Sequence, residues 1–179
     1  MVRAAAELMQ RRGYHGAGVA EILARANAPR GSLYYYFPAG KRQIAVEAVQ
    51  LAAAVFADDL GNAGAAATSL DDLFERWESL STRDLLQSDY EAACPVAATA
   101  LDVPQAEIDV VGACSATFAR WEGAAVAGLA RFLPEGVAKQ AGIIVTDALL
   151  GATMVARVGR DAARVRETLA ALRALLTSA

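Results

Sequence analysis

The run Arg30-Gly31-Ser32 followed by Tyr34-Tyr35-Tyr36, with Lys41 and Arg42 just beyond, is the densest concentration of chemically capable side chains in the sequence. A guanidinium can reach a guanine edge or a phosphate, and a neighbouring glycine lets a helix start come close to DNA. Tyrosine rings can lie on thymine methyls, and their hydroxyls can meet phosphates. The alternative is that the tyrosines pack between two parts of the protein. Three successive helical residues span about 200°, so all three cannot face one core. Lys41 and Arg42 open a helix, where the dipole disfavours cations by roughly 0.3–1 kcal/mol. A nearby phosphate reverses that sign; otherwise they are plain solvated charges.

Other chemistries lack their residues. With one histidine, His15, no Ser/His/Asp or Cys/His pairing is available. No residues stand at metal-ligand spacing, and no glycine loop could cradle a phosphate. The sequence therefore predicts no enzyme, no metal and no cofactor. Cys94 precedes Pro95 at a helix start, a plausible route to a lowered thiol pKa. With Cys114 it is either a redox sensor or, more commonly, a structural thiol. His15, just after the first helix, either packs or meets backbone phosphate.

A second group suits a small ligand. Phe74, Trp77, Phe118, Trp121 and Met154 are large and apolar, and Phe118 and Trp121 share a helix face at i, i+3. Each is core or pocket lining. Thr117, Thr146 and Thr153 could add polar contacts. Asp147 amid apolar residues needs a partner: it binds a cationic effector, pairs with an arginine, or sits exposed. The apolar balance favours a hydrophobic or amphipathic ligand.

These residues sit in a chain of 179, with 55 % hydrophobic and 21 % charged residues, enough to bury a core. Residues 1–48 hold seven Lys/Arg against three acids, a net of +4; the remainder holds ten against seventeen, a net of −7. A basic head on an acidic body suits a polyanion-binding module joined to something else. No signal peptide is visible. The longest charge-poor stretch, Gln140 to Ala156, is broken by Asp147 and falls short of the roughly 20 residues that span a bilayer. The reading is a soluble, cytoplasmic protein without a membrane partner.

The positioning elements are helical throughout. Alanine dominates and no strand pattern occurs. Breaks at Gly13, Ala26–Pro29, Pro38–Gly40, Gly61–Gly64, Cys94–Pro95, Pro104, Pro134–Gly136 and Gly159 leave about nine helices, near 2–12, 18–25, 29–36, 40–60, 69–89, 95–102, 105–132, 136–158 and 162–177. Ile44, Ala48, Leu51 and Val55 form one apolar stripe; Val165, Leu169, Leu172 and Leu176 form another. Ser69 with Asp71 and Asp72, Pro95, Pro104 and Asp161 read as helix starts. Gly18–Phe37 reads as a helix-turn-helix. Val19, Ile22 and Leu23 face inward, Asn27 supplies a φ > 0 turn position, Pro29 starts the second helix, and Leu33 and Phe37 anchor it. The fold class is all-α, an N-terminal helix-turn-helix DNA-binding domain over 1–48 and a helical ligand-binding and dimerisation domain over 49–179. The boundary lies inside the fourth helix, which would join the two rigidly. Residues 143–158 are apolar almost all round, with Ile143, Asp147, Leu150, Gly151, Met154 and Val158 on one face. That helix needs cover on more than one side, from a second subunit or as the central helix of a monomer.

The run Gly13-Tyr14-His15, Val19-Ala20-Glu21-Ile22 and Ala28-Pro29-Arg30-Gly31-Ser32-Leu33-Tyr34-Tyr35-Tyr36-Phe37-Pro38-Ala39-Gly40-Lys41 resembles the tetracycline-repressor-like (TetR) transcriptional regulators. The P-R-G-S-L-Y…F-P-A-G-K form, with Cys94-Pro95 and Leu150-Gly151-Ala152, is similar to the LmrA/YxaF-like branch. The resemblance implies a homodimer whose last two long helices pair into a four-helix bundle. Recognition helices would enter successive major grooves of a pseudo-palindromic double-stranded DNA operator, and a small-molecule effector would release them. By matching position, Arg30, Gly31, Ser32, Tyr34 and Tyr35 would touch bases or nearby backbone, and Tyr36 and Lys41 phosphates. The chain departs from relatives at Ala17 (often Thr), Asn27 (often Gly) and Tyr36 (often His). It also starts inside helix 1, where relatives carry several further residues, often basic. The native start therefore lies upstream, or the DNA grip lacks that arm. The competing expectation is a dimeric small-molecule-binding protein whose head no longer binds DNA.

Overall fold

The computed structural model describes residues 1–92 and 94–177. Among them the chain forms nine helices: α1 Val2–Gly16, α2 Val19–Arg25, α3 Ser32–Tyr36, α4 Lys41–Ala66, α5 Leu70–Gln87, α6 Pro95–Asp102, α7 Ile108–Leu129, α8 Glu135–Gly159 and α9 Ala163–Thr177. The packing divides them into two compact units, Met1–Val55 with Cys94–Thr117, and Phe56–Ala93 with Phe118–Ala179. Helices α4 and α7 contribute to both.

In the first unit the buried side chains come from six helices: Leu8 and Met9 of α1, Ile22 and Leu23 of α2, Leu33 of α3, Ile44, Ala45, Ala48, Val49 and Ala53 of α4, Val96 of α6, and Val110 and Cys114 of α7. Helix α1 lies chiefly on α6. Two ion pairs also join α1 to α2, Arg12–Glu21 at 2.7 Å and Arg25–Glu7 at 2.6 Å. Exposed pairs contribute about 0–1 kcal/mol each, so packing holds the unit. The α4 stripe is only half the expected one: Ile44 and Ala48 are buried. Leu51 and Val55 are exposed, because the inward face follows Ala45, Val49 and Ala53 at four-residue spacing instead. Alanines carry too little hydrophobic weight to reveal that face in the sequence.

Helix α1 breaks at Gly13 as expected: the residue is not helical there (φ 70°, ψ −171°), and past this kink one more turn runs to Gly16. The Tyr14 and His15 N–H groups, freed by the kink, donate to the Asp102 carboxylate at 2.7 and 2.9 Å. A Cβ on Gly13 would lie 2.6 Å from Asp102 Oδ2, so glycine is required there by both conformation and space.

In the second unit α5 starts where expected. Ser69 Oγ accepts the Asp72 N–H at 3.1 Å, and the Asp72 carboxylate accepts the Thr68 N–H at 2.9 Å, a reciprocal cap. The expected break at Gly61–Gly64 is absent, and α4 runs on to Ala66. Glycine inside a helix costs about 1 kcal/mol, but here it permits a close crossing: a Cβ on Gly64 would lie 3.1 Å from the Gly128 Cα of α7. Arg131 then ends α4, donating to the carbonyls of Gly64 and Ala67, 3.0 Å to the latter. At the α5 and α8 ends, Asp89, Tyr90 and Arg160 all take left-handed φ (52°, 63° and 52°). Arg160 ties the corner by pairing with Asp89 at 2.7 Å, and Tyr90 Oη accepts the Ala162 N–H at 3.2 Å.

Helix α8 turns mostly small residues inward: Ala138, Ala141, Gly142, Val145, Leu149, Ala152 and Ala156. Its other side leaves Ile143, Ile144, Met154, Val155 and Val158 exposed. At 25 residues it is long and apolar enough to cross a membrane by length and composition alone, as core helices of soluble proteins also can be. Only 33 % of its most apolar window is buried within the chain.

Candidate nucleic-acid interface

The turn between α2 and α3 forms as its residues suggest. Asn27 takes φ 49°, and the Ala28 N–H donates to the Leu23 carbonyl at 2.9 Å. Helix α2 begins at Gly18 without a side-chain cap, and Ala17 is buried. Pro29 lies ahead of α3 rather than in its first turn. The Ser32 N–H and hydroxyl both donate to the Pro29 carbonyl, at 3.0 and 2.7 Å, and hold a short turn there. Helix α3 is therefore five residues long, not eight.

Leu33 and Phe37 are buried, while Tyr34, Tyr35 and Tyr36 are 67, 79 and 62 % exposed. The Tyr35 and Tyr36 rings meet edge to face at 4.9 Å. Arg30 and Gly31 are exposed beside them. Three other cations of residues 1–48 are committed: Arg12 and Arg25 to Glu21 and Glu7, and Arg42 to Asp109 at 3.4 Å. Arg30 makes no ion pair or hydrogen bond among the described residues. Lys41 is half-buried. Its Nζ donates to the His15 carbonyl at 3.3 Å and stands 4.7 Å from the Tyr14 ring centre. Desolvation lowers its pKa, against the pull of Asp102 and Glu107. Burial, then Glu107, raises that of Tyr14. Sequence reasoning missed Asp102, which lies far from Gly13 along the chain; the isolated Gly13 was its one local signal.

The candidate ligand residues divide. Phe74, Trp77 and Trp121 are buried and Phe118 is half-buried. Ring centres lie 5.6 Å apart for Phe74–Trp77 and 5.8 Å for Phe118–Trp121. Phe56, not foreseen, joins Trp121 at 4.9 Å. Asp147 and Met154 are not brought to this group. Both are exposed on the outer side of α8, because its inward positions are 138, 141, 142, 145, 149, 152 and 156, mostly alanine and glycine. The Thr117, Thr146 and Thr153 hydroxyls donate to carbonyls of their own helices, at 2.8, 2.8 and 2.9 Å.

Neither cysteine is in a disulfide. Cys94 Sγ accepts the Ala97 N–H at 3.4 Å as the cap of α6. Burial, and then the nearby Cys94 sulfur, push the Cys114 thiol up to about 11. Because the thiolate is the nucleophile, Cys114 is expected to resist iodoacetamide at pH 8 while Cys94 is alkylated first, as peptide mass mapping would show. Equal rates at both would contradict this ordering.

Residues 1–48 match the family described as bacterial regulatory proteins, tetR family, and residues 67–171 match the C-terminal domain of LmrA/YxaF-like transcriptional regulators. The chain belongs to the TetR family. An uncharacterised HTH-type transcriptional regulator of Mycobacterium tuberculosis is 32 % identical to it over 170 residues, 90 % of this chain and 84 % of the relative. The HTH-type transcriptional regulator LmrA of Bacillus subtilis is 51 % identical over 49 residues, 27 % of this chain and 26 % of the relative. Two solved structures share the fold. A TetR transcriptional regulator from Legionella pneumophila has a TM-score of 0.82 at 15 % identity, covering 98 % of this chain and 94 % of that one. The reduced form of Escherichia coli NemR has a TM-score of 0.78 at 20 % identity, covering 96 and 92 %. This TetR-family member is a transcriptional regulator with an N-terminal DNA-binding domain, not an enzyme.

Proposed function

We propose that this TetR-family protein is a cytoplasmic, homodimeric repressor of a pseudo-palindromic operator, released by a small hydrophobic or amphipathic effector. Residues 1–48 would read DNA; residues 49–179 would bind the effector and dimerise through α8 and α9. The observation that carries the DNA reading is the set of exposed tyrosines beside the uncommitted Arg30, on a helix pinned from behind by Leu33 and Phe37. Exposed large aromatics cost hydration without a partner, and a DNA groove supplies one. Arg30, Gly31, Ser32, Tyr34 and Tyr35 would meet bases or adjacent backbone. Tyr36, and Lys41 with the N–H groups that His15 leaves free, would meet phosphates. Phe74, Trp77, Phe118 and Trp121 are the effector candidates. Asp147 and Met154 fit better at the subunit contact, given the side of α8 they occupy.

The test is fluorescence anisotropy on the DNA upstream of its own gene at two salt concentrations, with random DNA as control. Tight, site-preferring binding of two subunits per duplex supports the reading; no binding at low salt overturns it. In that assay Tyr34→Ala is expected to cost about 1–3 kcal/mol and relax preference at one base. Lys41→Ala is expected to weaken binding evenly across sequences and flatten the salt slope by about one. Parent-like behaviour of both variants would place the contact surface elsewhere.

A further inference from the structure

We propose that Asp102, at the C-terminal end of α6, is a positioning residue for DNA binding, acting on the head through the last turn of α1. The inference rests on the DNA-binding reading and goes beyond it, since Asp102 lies outside the helix-turn-helix. The Gly13 kink turns two successive backbone N–H groups toward α6, and the Asp102 carboxylate takes both, one on each oxygen. An ionised carboxylate on two amides is a strong, directional clamp.

The clamped segment in turn holds the start of α4. The His15 carbonyl accepts from Lys41 Nζ, and the Tyr14 ring lies under the same ammonium. Lys41 follows α3 by a four-residue link, Phe37 to Gly40, whose Gly40 N–H donates to the Phe37 carbonyl at 2.7 Å. The chain of contacts is therefore Asp102, the Tyr14–His15 turn, Lys41, and the link to the tyrosine-bearing helix, all within the first unit. Without the carboxylate, two amides lose their partner and the anchor of Lys41 is free to swing. Among the described residues Asp102 makes no hydrogen bond or ion pair with a candidate DNA-contact residue; it acts on Lys41 through this turn and, through space, by its charge.

The test uses a duplex selected by the full-length parent from a random-sequence pool. Affinity is measured at several salt concentrations, well below each variant's unfolding temperature, and corrected for the active fraction by stoichiometric titration. Asp102→Ala is expected to weaken binding at least tenfold, with the salt slope falling by about one, as for Lys41→Ala. The double variant D102A/K41A is expected to bind within about twofold of D102A alone, because both changes remove one coupled element. Asp102→Asn, which keeps one acceptor oxygen, should fall between parent and D102A. A purely structural role would lower thermal stability but leave affinity and salt slope of the folded fraction at parent values, and that result overturns the proposal. Should D102A not fold, D102N decides: fast amide exchange at Tyr14 and His15 with parent affinity also overturns it. A pool yielding no bound sequence for the parent instead overturns the DNA-binding reading itself.

Discussion

Ile144→Asp is expected to convert the protein to a monomer and to lower operator affinity more than a hundredfold. Ile144 is 54 % exposed in a stripe with Ile143, Val155 and Val158, the last 83 % exposed. A single chain leaves this apolar surface in water, and a second copy laid against it would cover it. Full burial of one such side chain is worth about 1.5–3 kcal/mol, and a two-fold interface counts each substitution twice. The new carboxylate would also join Asp147 on the same side of the helix, adding like charge to a desolvated contact. Light scattering after gel filtration would give the mass, and far-ultraviolet circular dichroism would verify that helicity is retained. On the dimer and two-half-site operator proposed above, a monomer would engage one half-site, hence the expected loss on DNA. A variant that remains dimeric would move the subunit contact off α8.

Trp77→Ala is expected to destabilise the protein by about 3–5 kcal/mol, the cost of a large cavity in a rigid surround. The Trp77 ring is fully buried beside Phe74 and closes on Gly128, where an added Cβ would lie 3.2 Å from Cζ2. Trp77→Phe should cost much less than lost volume alone implies. The indole Nε1–H is buried with no acceptor among the described residues, and removing an unsatisfied donor returns about 1–3 kcal/mol. Urea unfolding followed by circular dichroism measures both. Equal losses for the two variants would mean that the indole N–H has a partner in solution.

Where a helix begins was legible wherever a local bond sets it. Ser69 with Asp72 and Cys94 with Pro95 each carry their own cap, and α5 and α6 start where those residues stand. The inward turn of Leu33 and Phe37 and the left-handed Asn27 were legible for the same reason: each depends on its immediate neighbours. What escaped was decided across the fold. Gly61 and Gly64 read as a break, but the crossing with Gly128 keeps α4 intact. Leu51 and Val55 fit a stripe by spacing, yet alanines occupy the inward face. Asp147 and Met154 carried the right chemistry for a ligand but stand on the outer side of α8, which periodicity alone did not distinguish. Asp102 is a single acid near a helix end, and nothing around it in sequence announces Tyr14 and His15 as its partners.

The Asp102 clamp also bears on how such regulators can be recombined. A chimera that grafts residues 1–48 onto a foreign body severs the Tyr14 and His15 amides from their carboxylate and leaves Gly13 kinked toward nothing. Specificity transplanted that way would arrive on a loosened scaffold. Crossover points that carry Cys94–Thr117 along with Met1–Val55 keep donor and acceptor from the same parent, at the expense of two extra junctions, one just ahead of α6 and one inside α7. The exchangeable piece is thus discontinuous in sequence, and splicing designs that treat the head as one contiguous cassette cut through its own support.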